Sequence, residues 1–596
     1  MTSATIAENS KAGYNRVLLL VAGLGGLLYG VDVGIIAGAL PYLEATSKLN
    51  AGQLSTVVAA VALGSVISTL FAGALADLIG RKPLMILSGL LFVCSIPVIA
   101  SSSGYQSLVI GRLLQGISAG LIGVVVPLYL AECLSASTRG KGTGIFQWLL
   151  TLGIVVAAIV GMYFSFRVEE VAKLADPASL FAFKDKAWRS IFWVSLPPGF
   201  LFVIGGFLVS ESPRWLYRKG RTDDAYAALQ RSRSDEQANV ELAEMEQAAA
   251  AEKAKSSSGS KVKESLLRRK YVIPFVLACL ILACNQATGV NSIIGYNTTI
   301  LLQSGLSDFQ AHRGYVLFTI VNFLMTIGGV LLVDRKGRKF LLSVGSAGII
   351  VSLLCTGLLF RRTEQLRVDA NSAVQSLVDG DQTIKLLYDQ KSADALLDAS
   401  GDAGKAISNR ATSLIVIYSY GDFRAATKVA RSDDSAASPI EITRESAVPA
   451  NKVNAFFSNP FSDLEGARRA PLKIDHALIT PVPSEHNGWM VAISLFVFMA
   501  FFAIGPGVCV WLALSELMPT RIRSNGMSIA LLINQAVSTT IAAMFLPTVG
   551  KYGYSAIFFG FASCTVVYFI TATFFLPETK GKTLEEIEAH FEGTGG

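Results

Sequence analysis

The feature that most constrains this fold is a series of long apolar runs that recurs along the whole chain. Leu54–Ala76, Pro83–Ala100 and Tyr554–Phe575 are examples, and about twelve such runs can be counted. A helix of roughly 20 apolar residues can cross the hydrocarbon core of a bilayer, which is about 30 Å thick. Only 16% of the 596 residues are charged, whereas about a quarter is usual in soluble proteins. The sequence therefore predicts a polytopic helical membrane protein.

Basic residues are concentrated in alternate short connections between the apolar runs. Arg81 and Lys82 lie in one of these connections and Arg521 and Arg523 in another, while the intervening short connections are poorer in Lys and Arg. Because Lys and Arg are enriched on the cytoplasmic side of membrane proteins, both termini are predicted to be cytoplasmic, which agrees with an even number of spans. The net charge of +7 then reflects membrane topology, and no nucleic-acid partner is expected. The first run is too long to be a cleavable signal.

Three sequence signatures occur twice, once in each half of the chain. DLIGRK after the second run matches DRKGRK after the eighth, AECLSASTR matches SELMPTRIR, and SESPRW matches PETKGK. Internal repetition of this kind is typical of transporters built from two related halves. The predicted fold class is therefore an all-α polytopic membrane protein with twelve transmembrane helices in two six-helix halves.

A long insertion separates two of the predicted spans in the second half. The first pair of signatures begins at Asp77 and at Asp334, and the second pair contains Glu132 and Glu516. The distance along the chain from Glu132 to Glu516 is longer than that from Asp77 to Asp334 by roughly 127 residues. These extra residues, about 361–486 between spans nine and ten, exceed an ordinary connection. They follow an odd-numbered span and are predicted to be external. The insert contains one predicted strand, SLIVIYSY, and we interpret it as a small extramembrane module or a partly ordered lid.

These signals together predict the order of segments along the chain. A second, smaller external insert is expected at about 165–186, and the cytoplasmic region between the halves is expected to be an exposed helix followed by a Ser/Gly linker. The predicted segments are a cytoplasmic N-terminus (1–16), the first half (17–210), the region between the halves (211–270), spans seven to nine (271–360), the long insert (361–486), spans ten to twelve (487–577) and a cytoplasmic C-terminus (578–596).

The titratable residues do not suggest an enzyme. The chain has only four histidines and seven cysteines, and the cysteines lie in or at the ends of the apolar runs without the spacing of a zinc site. No nucleophile–base motif can be identified. We therefore expect no catalytic residues, no metal and no cofactor.

Six motifs in order resemble those of the sugar porter family of the major facilitator superfamily. They are GALADLIGRK, GRLLQGISAG with VPLYLAE, SESPRWL, DRKGRK, GPGVCVWLALSE and LPETKGKTLEE. The resemblance extends over nearly all of the chain outside the two inserts. It implies the major facilitator fold and alternating access, in which the two halves rock about a substrate site near the middle of the membrane.

Charged residues at the predicted cytoplasmic helix ends are candidates for a latch. Bidentate Arg–carboxylate pairs can hold neighbouring helices together and break when the inner gate opens. Simple interfacial anchoring is the alternative, but the recurrence of the same Glu–Arg spacing in both halves favours the latch. The candidate latch residues are Asp77, Arg81, Glu132, Arg139, Glu211, Arg214, Asp334, Arg338, Glu516 and Arg523.

Amides in the predicted spans are candidates for substrate binding. Several amides and glycines in NQATGVNSIIGYN are costly in a membrane helix unless they face a wet cavity, and neutral donors and acceptors suit sugar hydroxyls. The alternative is that single amides only join helices. By the resemblance to sugar porters, the substrate-binding residues are Gln147, Asn285, Gln286, Asn291, Tyr296, Asn322, Trp511 and Asn534.

The chain departs from the sugar porter pattern at three positions in or next to this set. Asn285 stands where the family usually has a first glutamine, Gly295 where it usually has an aromatic residue, and Gln535 where it commonly has a tryptophan. A more open or more polar pocket is therefore expected, and the resemblance does not define which sugar is bound.

Asp32 is the one carboxylate in the middle of the first apolar run. An ionised Asp at the centre of a membrane helix costs about 2.5–3.5 kcal/mol on insertion scales. Burial disfavours its charged form, and a nearby cation such as Arg112 in the fourth run favours it. Asp32 resembles the proton-titrating residue of bacterial xylose–proton symporters, and Arg112 resembles its partner. A permanently ionised structural pair is the alternative.

The predicted function is import of a neutral sugar or polyol by proton symport through alternating access. The partners would be the sugar or polyol, protons and the lipid bilayer, and the expected location is the cell membrane. A passive facilitator or an exchanger is the alternative, and a sugar sensor whose insert contacts another protein is a further one. The sequence does not identify the sugar, the stoichiometry, the oligomeric state or a protein partner of the insert.

Overall fold

Twelve helices long and apolar enough to cross a bilayer form the body of the protein. The computed structural model describes residues 3–134, 136–174, 176–257, 268–434, 439–452, 454–455, 459, 461–519, 522–580, 586 and 591. We number the helices spans 1 to 12 in chain order: Lys11–Thr46, Ala51–Ile79, Arg81–Ala100, Tyr105–Cys133, Gly144–Leu174, Pro177–Leu208, Arg269–Gly295, Asp308–Val333, Arg338–Glu364, Glu485–Val510, Gly526–Tyr552 and Tyr554–Phe575. The predicted twelve-span helical fold is confirmed.

The outer surface of the helical body carries large apolar side chains. Phe71, Leu78, Phe207, Leu331 and Phe574 are each more than half exposed. Contiguous apolar surface of this kind is costly in water and is expected where a helix faces lipid tails.

Three spans are broken where the local sequence cannot continue a regular helix. Span 6 consists of Pro177–Trp193 and Leu196–Leu208, span 7 of Arg269–Ala287 and Val290–Gly295 followed by Asn297–Gln303, and span 10 of Glu485–Ile504 and Pro506–Leu517. At the first break in span 7, Gly289 has a φ of 81°, and a Cβ there would lie 2.3 Å from the ring of Phe561. Only glycine adopts this conformation readily, so the sequence specifies the break.

The segment predicted as a small insert at 165–186 extends two helices instead. Ala136–Leu174 continues past the apolar part of span 5, and the helix of span 6 begins at Pro177. Asp176 caps this second helix, because its carboxylate accepts hydrogen bonds from the backbone N–H groups of Ala178 and Ser179. The polar composition of this segment is therefore that of two helix ends joined by a tight connection.

Between the halves, three helices follow span 6: Pro213–Arg218, Thr222–Gln230 and Asp235–Ser257. They agree with the predicted helical region. The remainder of the predicted Ser/Gly linker, 258–267, lies outside the described residues.

The long insert folds as a separate α+β unit, which we define as the module, residues 365–484. Its strands are β1 (Val368–Asp369), β2 (Ile384–Leu386), β3 (Thr412–Tyr420), β4 (Phe423–Ala426), β5 (Ala430–Arg431), β6 (Ile440–Ile442) and β7 (Leu472–Pro481). Its helices are Asn371–Gln375, Gln390–Asp398, Asp402–Lys405 and Leu464–Arg469. The predicted strand SLIVIYSY lies in β3.

The module is built on an antiparallel sheet with its own apolar core. The main sheet has the order β1-β7-β3-β4, β5 also pairs with β3, and β2 and β6 form a second pair. Strands β3 and β7 are paired from Thr412↔Pro481 to Tyr420↔Leu472. Leu397, Val416 and Ile479 are among the buried residues of its core. The alternation of buried and exposed residues along β7 is typical of a strand that covers a core with one face.

Candidate substrate cavity and its two ends

A cavity of about 290 Å³ lies between the two halves of the helical body. Spans 1, 2, 4 and 5 of the first half and spans 7, 8, 10 and 11 of the second contribute to its wall. This volume is just below the range of roughly 300–1,000 Å³ that is typical of small-molecule sites. Its polar lining residues are Tyr29, Asp32, Ser65, Arg112, Gln147, Thr151, Asn285, Gln286, Asn291, Asn322, Thr326, Asn534, Gln535 and Ser538.

Four polar side chains on one wall are joined by hydrogen bonds. Asn291 Nδ2 donates to Gln286 Oε1 at 3.0 Å and to Ser538 Oγ at 2.9 Å, and Gln286 Nε2 donates to Asn534 Oδ1 at 3.2 Å. Asn534 Nδ2 donates in turn to the carbonyl of Leu282. The chain joins span 7 to span 11 and fixes the direction in which each amide presents its remaining donors and acceptors.

Three further amides line the cavity, and one of them has a buried oxygen without a partner among the described residues. The Oδ1 atom of Asn285 is buried and accepts no hydrogen bond from the described residues. The side chains of Gln147 and Asn322 also line the cavity, on spans 5 and 8, which pack against each other across the boundary between the halves. Buried amides of this kind require polar partners, which water or a hydroxyl-rich ligand can supply.

Asp32 and Arg112 both line the same cavity and are both almost fully buried, at 1% and 2% exposure. Neither carboxylate oxygen of Asp32 accepts a hydrogen bond from the described residues. Arg112 Nη1 donates instead to Gln115 Oε1 at 2.6 Å, and its guanidinium lies over the ring of Phe192. The two charged groups therefore share a cavity without forming a closed ion pair.

Two of the expected substrate-binding residues are not seen in this lining. Tyr296 is fully buried beside the cavity: its hydroxyl lies 3.2 Å from Ser55 Oγ and 3.1 Å from the carbonyl of Ala542, and its ring stacks on Phe545. It therefore joins span 7 to spans 2 and 11 in this structure rather than facing the cavity. The side chain of Trp511 lies outside the described residues.

A buried ion-pair cluster joins the helices of the first half at the end far from the module. Arg81 Nε lies 2.8 Å from Glu132 Oε2, and Arg81 Nη2 lies 2.9 Å from both Glu132 Oε1 and Asp77 Oδ1. Ser212 donates its hydroxyl to Glu132. Glu211 accepts the backbone N–H groups of Arg81 and Lys82 and so caps span 3. Burial raises the pKa of the Glu211 carboxyl, against the lowering effect of these N–H groups.

The second half repeats this cluster with equivalent residues. Arg338 Nη2 lies 3.1 Å from Glu516 Oε1, Thr579 donates to Glu516, and Glu578 accepts the backbone N–H groups of Arg338 and Lys339. Glu578 and Thr579 therefore correspond to Glu211 and Ser212. Neither was among the candidates, although the SESPRW and PETKGK repeat contains the signal.

The remaining latch candidates do not join these clusters. Arg214 is exposed and forms no ion pair with a described residue in this structure, so its role in the latch stays a prediction. The side chains of Arg139, Asp334 and Arg523 lie outside the described residues. Both described clusters connect helices within one half.

The end of the body that carries the module is closed by contacts between the halves. Among pairs of described residues, every hydrogen bond between the halves lies at this end. Tyr42 and Ser165 each donate to Asp308 at 2.7 Å, and Tyr315 donates to the carbonyl of Gly34. Sequence reasoning missed this seal because its residues are separated by more than 100 positions and belong to no motif.

The family model described as "Sugar (and other) transporter" matches residues 18–375 and 476–591. The unmatched segment lies within the module, so the match comprises the helical body. The chain belongs to this sugar transporter family. The family is one of membrane transporters rather than enzymes, as predicted.

Two relatives illustrate the range of this sugar transporter's family. The chain is 27% identical over 571 residues to "Solute carrier family 2, facilitated glucose transporter member 12" of Xenopus laevis, covering 95% of this chain and 88% of the relative. It is 26% identical over 591 residues to the "Proton myo-inositol cotransporter" of Homo sapiens, covering 98% and 83% respectively.

Solved structures agree with the fold of the transporter. The xylose transporter XylE from E. coli, in a partially occluded inward-open conformation, matches with a TM-score of 0.62 at 18% identity, covering 96% of this chain and 100% of XylE. A crystal structure of a D-xylose-proton symporter matches with a TM-score of 0.59 at 19% identity, covering 96% and 100% respectively. The predicted major facilitator fold is confirmed.

Proposed function

We propose that this sugar transporter imports a neutral sugar or polyol together with a proton, by alternating access. The observation that carries the proposal is the buried Asp32 carboxylate, which lines the central cavity without a hydrogen-bond donor from the described residues. A permanently ionised carboxylate in an apolar span would need a paired cation or several donors to offset its desolvation. A carboxylate that gains and loses a proton at a wet cavity needs neither a paired cation nor several donors.

Arg112 is suited to control that proton. Its guanidinium lies in the same cavity wall but is held by Gln115 and Phe192, so Asp32 can be protonated without leaving an unsupported cation. When Asp32 is ionised, attraction to Arg112 favours the charged form. Protonation removes that attraction and leaves a neutral site, in which the two halves can rock with sugar bound.

The amide-rich wall supplies the sugar site. The chain of Asn291, Gln286 and Asn534 is already ordered, so a ligand binds to amides that have lost their rotational freedom. Gln147, Asn285 and Asn322 line the other sides of the cavity, and the Oδ1 atom of Asn285 accepts no hydrogen bond from the described residues. A hydroxyl donates and accepts hydrogen bonds, so a polyhydroxylated, uncharged molecule matches this lining.

The sidedness of the proposal follows from the charge pattern. The Arg81 and Arg338 clusters would lie at the cytoplasmic end, with both termini, and the module would be external at the cell membrane. This structure, closed at the module end, would then represent the state that releases substrate to the cytoplasm. The two clusters would act as intra-half latches that rearrange when the cytoplasmic end opens or closes.

Proton coupling has enough driving force to concentrate a sugar. One charge moving through a membrane potential of about 100 mV supplies about 2.3 kcal/mol, and 1.4 kcal/mol corresponds to a tenfold ratio. A coupled transporter can therefore accumulate its substrate tens-fold, whereas a passive facilitator stops at equal concentrations. Similarity to a facilitated glucose transporter makes the passive mode the second candidate.

The test is uptake by proteoliposomes under an imposed pH gradient. A panel of labelled hexoses, pentoses and myo-inositol first identifies the substrate, and an uncoupler then separates accumulation from equilibration. We expect Asp32→Asn to lose gradient-driven accumulation while counterflow exchange continues. Asp32→Glu, which keeps a titratable group, is the matched control and should retain part of the accumulation.

Two outcomes would contradict the proposal in different ways. Normal accumulation by Asp32→Asn would remove Asp32 from the coupling step. Equilibration without accumulation by the unmodified protein, for every substrate of the panel and with or without uncoupler, would establish the passive facilitator instead.

A further inference from the structure

A buried histidine lies in the seal between the two halves at the module end. His312 is fully buried, four residues into span 8. Its ring stacks on that of Tyr42 of span 1, with the centroids 5.6 Å apart and the planes 7° from parallel. Gly161 of span 5 leaves room for it, because a Cβ there would lie 3.3 Å from His312 Cδ2. The imidazole is therefore packed between elements of both halves.

Both ring nitrogens of His312 face carbonyl oxygens. Nδ1 lies 2.9 Å from the carbonyl oxygen of Asp308, and Nε2 lies 3.2 Å from the carbonyl oxygen of Gly38. A carbonyl oxygen only accepts hydrogen bonds, so each nitrogen must donate. A neutral imidazole carries a single N–H, whereas an imidazolium carries two. Both contacts are satisfied only when the ring is protonated.

The ring lies beside a carboxylate that is itself hydrogen-bonded. The Asp308 carboxylate lies 3.4 Å from Nδ1 through Oδ1, while its Oδ2 accepts from Tyr42 and Ser165. Span 8 contributes the Asp308 carboxylate to these surroundings, span 1 contributes Tyr42, and span 5 contributes the uncharged Ser165 and Gly161. A buried cation is thus paired with a partly exposed anion that is held by two further donors.

We propose that His312 is a second proton-binding site, and that its proton seals the module end of the cavity by donating across the boundary between the halves to Gly38. Loss of the proton leaves one ring nitrogen as a buried acceptor that faces a carbonyl oxygen, with no hydrogen between them. The cost of an unsatisfied buried acceptor corresponds to a roughly tenfold change in the ratio of closed to open molecules. Opening of the module end is therefore favoured by raising the pH.

This site is distinct from the Asp32 site in mechanism and in place. His312 lies in the seal rather than in the cavity lining, so its proton is taken from and returned to the solution at the module end. It changes the pH dependence of opening without adding to the number of protons carried. The inference rests on the alternating-access part of the proposed function and not on coupling through Asp32.

The test measures the distance between the halves directly, without transport. Leu174 of the first half and Lys551 of the second are exposed at the module end, and spin labels at Leu174→Cys and Lys551→Cys, in a background lacking the seven native cysteines, report opening by double electron–electron resonance. In lipid nanodiscs, the short-distance population should fall roughly tenfold relative to the long one as pH rises through about 5–8, where imidazoles titrate.

His312→Gln should abolish this pH dependence, whatever fraction of the variant molecules is closed at the module end. His476→Gln is the matched control, because His476 lies in the module, beside Asp369 and away from the seal, and it should retain the full response. Persistence of the pH response in His312→Gln, or its absence from the unmodified protein, would overturn the proposal.

A second measurement does not depend on the folding of a variant. ¹⁵N spectra of histidine-labelled unmodified protein in the closed state should contain one imidazole with hydrogen on both ring nitrogens at neutral pH, protected from exchange with water. Four histidines contribute to the spectrum, and His476→Gln removes one of the alternatives. If every ring is neutral in closed molecules, the proton site does not exist.

Discussion

Replacing Arg81 by glutamine should destabilise the folded protein by about 3–5 kcal/mol, the cost of leaving one member of a buried ion pair without its partner. Arg81 and Glu132 are 2% and 8% exposed and are joined by two close nitrogen–oxygen contacts. With the guanidinium removed, the hydroxyl of Ser212 is the one donor among the described residues that Glu132 keeps. Its charge would then be buried with one donor.

The equivalent pair in the second half supplies the matched control. Arg338 and Glu516 are 13% and 25% exposed, so water can solvate the orphaned carboxylate. Arg338→Gln should therefore cost less, about 1–2 kcal/mol, since partly exposed charged hydrogen bonds are screened. The difference between the two variants isolates the effect of burial.

Reversible unfolding in mixed detergent–SDS micelles measures these changes. The double variant Arg81→Gln with Glu132→Gln should recover part of the loss, because it removes the uncompensated charge as well as the pair. The reasoning is refuted if Arg81→Gln costs no more than Arg338→Gln, or if the double variant is no more stable than Arg81→Gln alone.

Two further predictions concern single positions. Gly289→Ala should lower the free energy of unfolding by at least about 1–2 kcal/mol, which is the cost of holding a residue with a Cβ in the left-handed conformation. The loss should exceed this cost because the ring of Phe561 must also move to make room for the Cβ. Gly560→Ala, in a helix and without neighbours within 4 Å, should instead leave stability unchanged or raise it; equal losses would contradict the argument. Burial raises the pKa of Glu211 above its ordinary 4.5, so the folded state binds more protons just above that value and its stability should fall as pH rises through this window. Glu211→Gln should flatten that slope in thermal unfolding measured across the window, and an unchanged slope would show that other groups cause it.

The hydropathy and repeats of the sequence were sufficient to define much of the architecture. Twelve apolar runs predict twelve helical spans because a segment inside the bilayer has no water to bind its backbone groups. A helix makes all of these hydrogen bonds internally. The duplicated signatures indicated where the Arg81 and Arg338 clusters form. The charged residues of these motifs lie at helix ends, where few other charged groups are within reach. Strand β3 was recognisable from its β-branched and aromatic residues.

The sequence by itself determined what each segment is: its length, its polarity, the duplicated order and the presence of one carboxylate in the first span. Only the tertiary structure decided which of these residues meet. It brought Asp32, Arg112 and all six candidate amides to one cavity, turned Tyr296 into a contact between helices, and assembled the seal around His312. The physical reason is that burial and hydrogen bonding depend on neighbours contributed by distant spans, and the packing of one half against the other is not encoded in any local pattern.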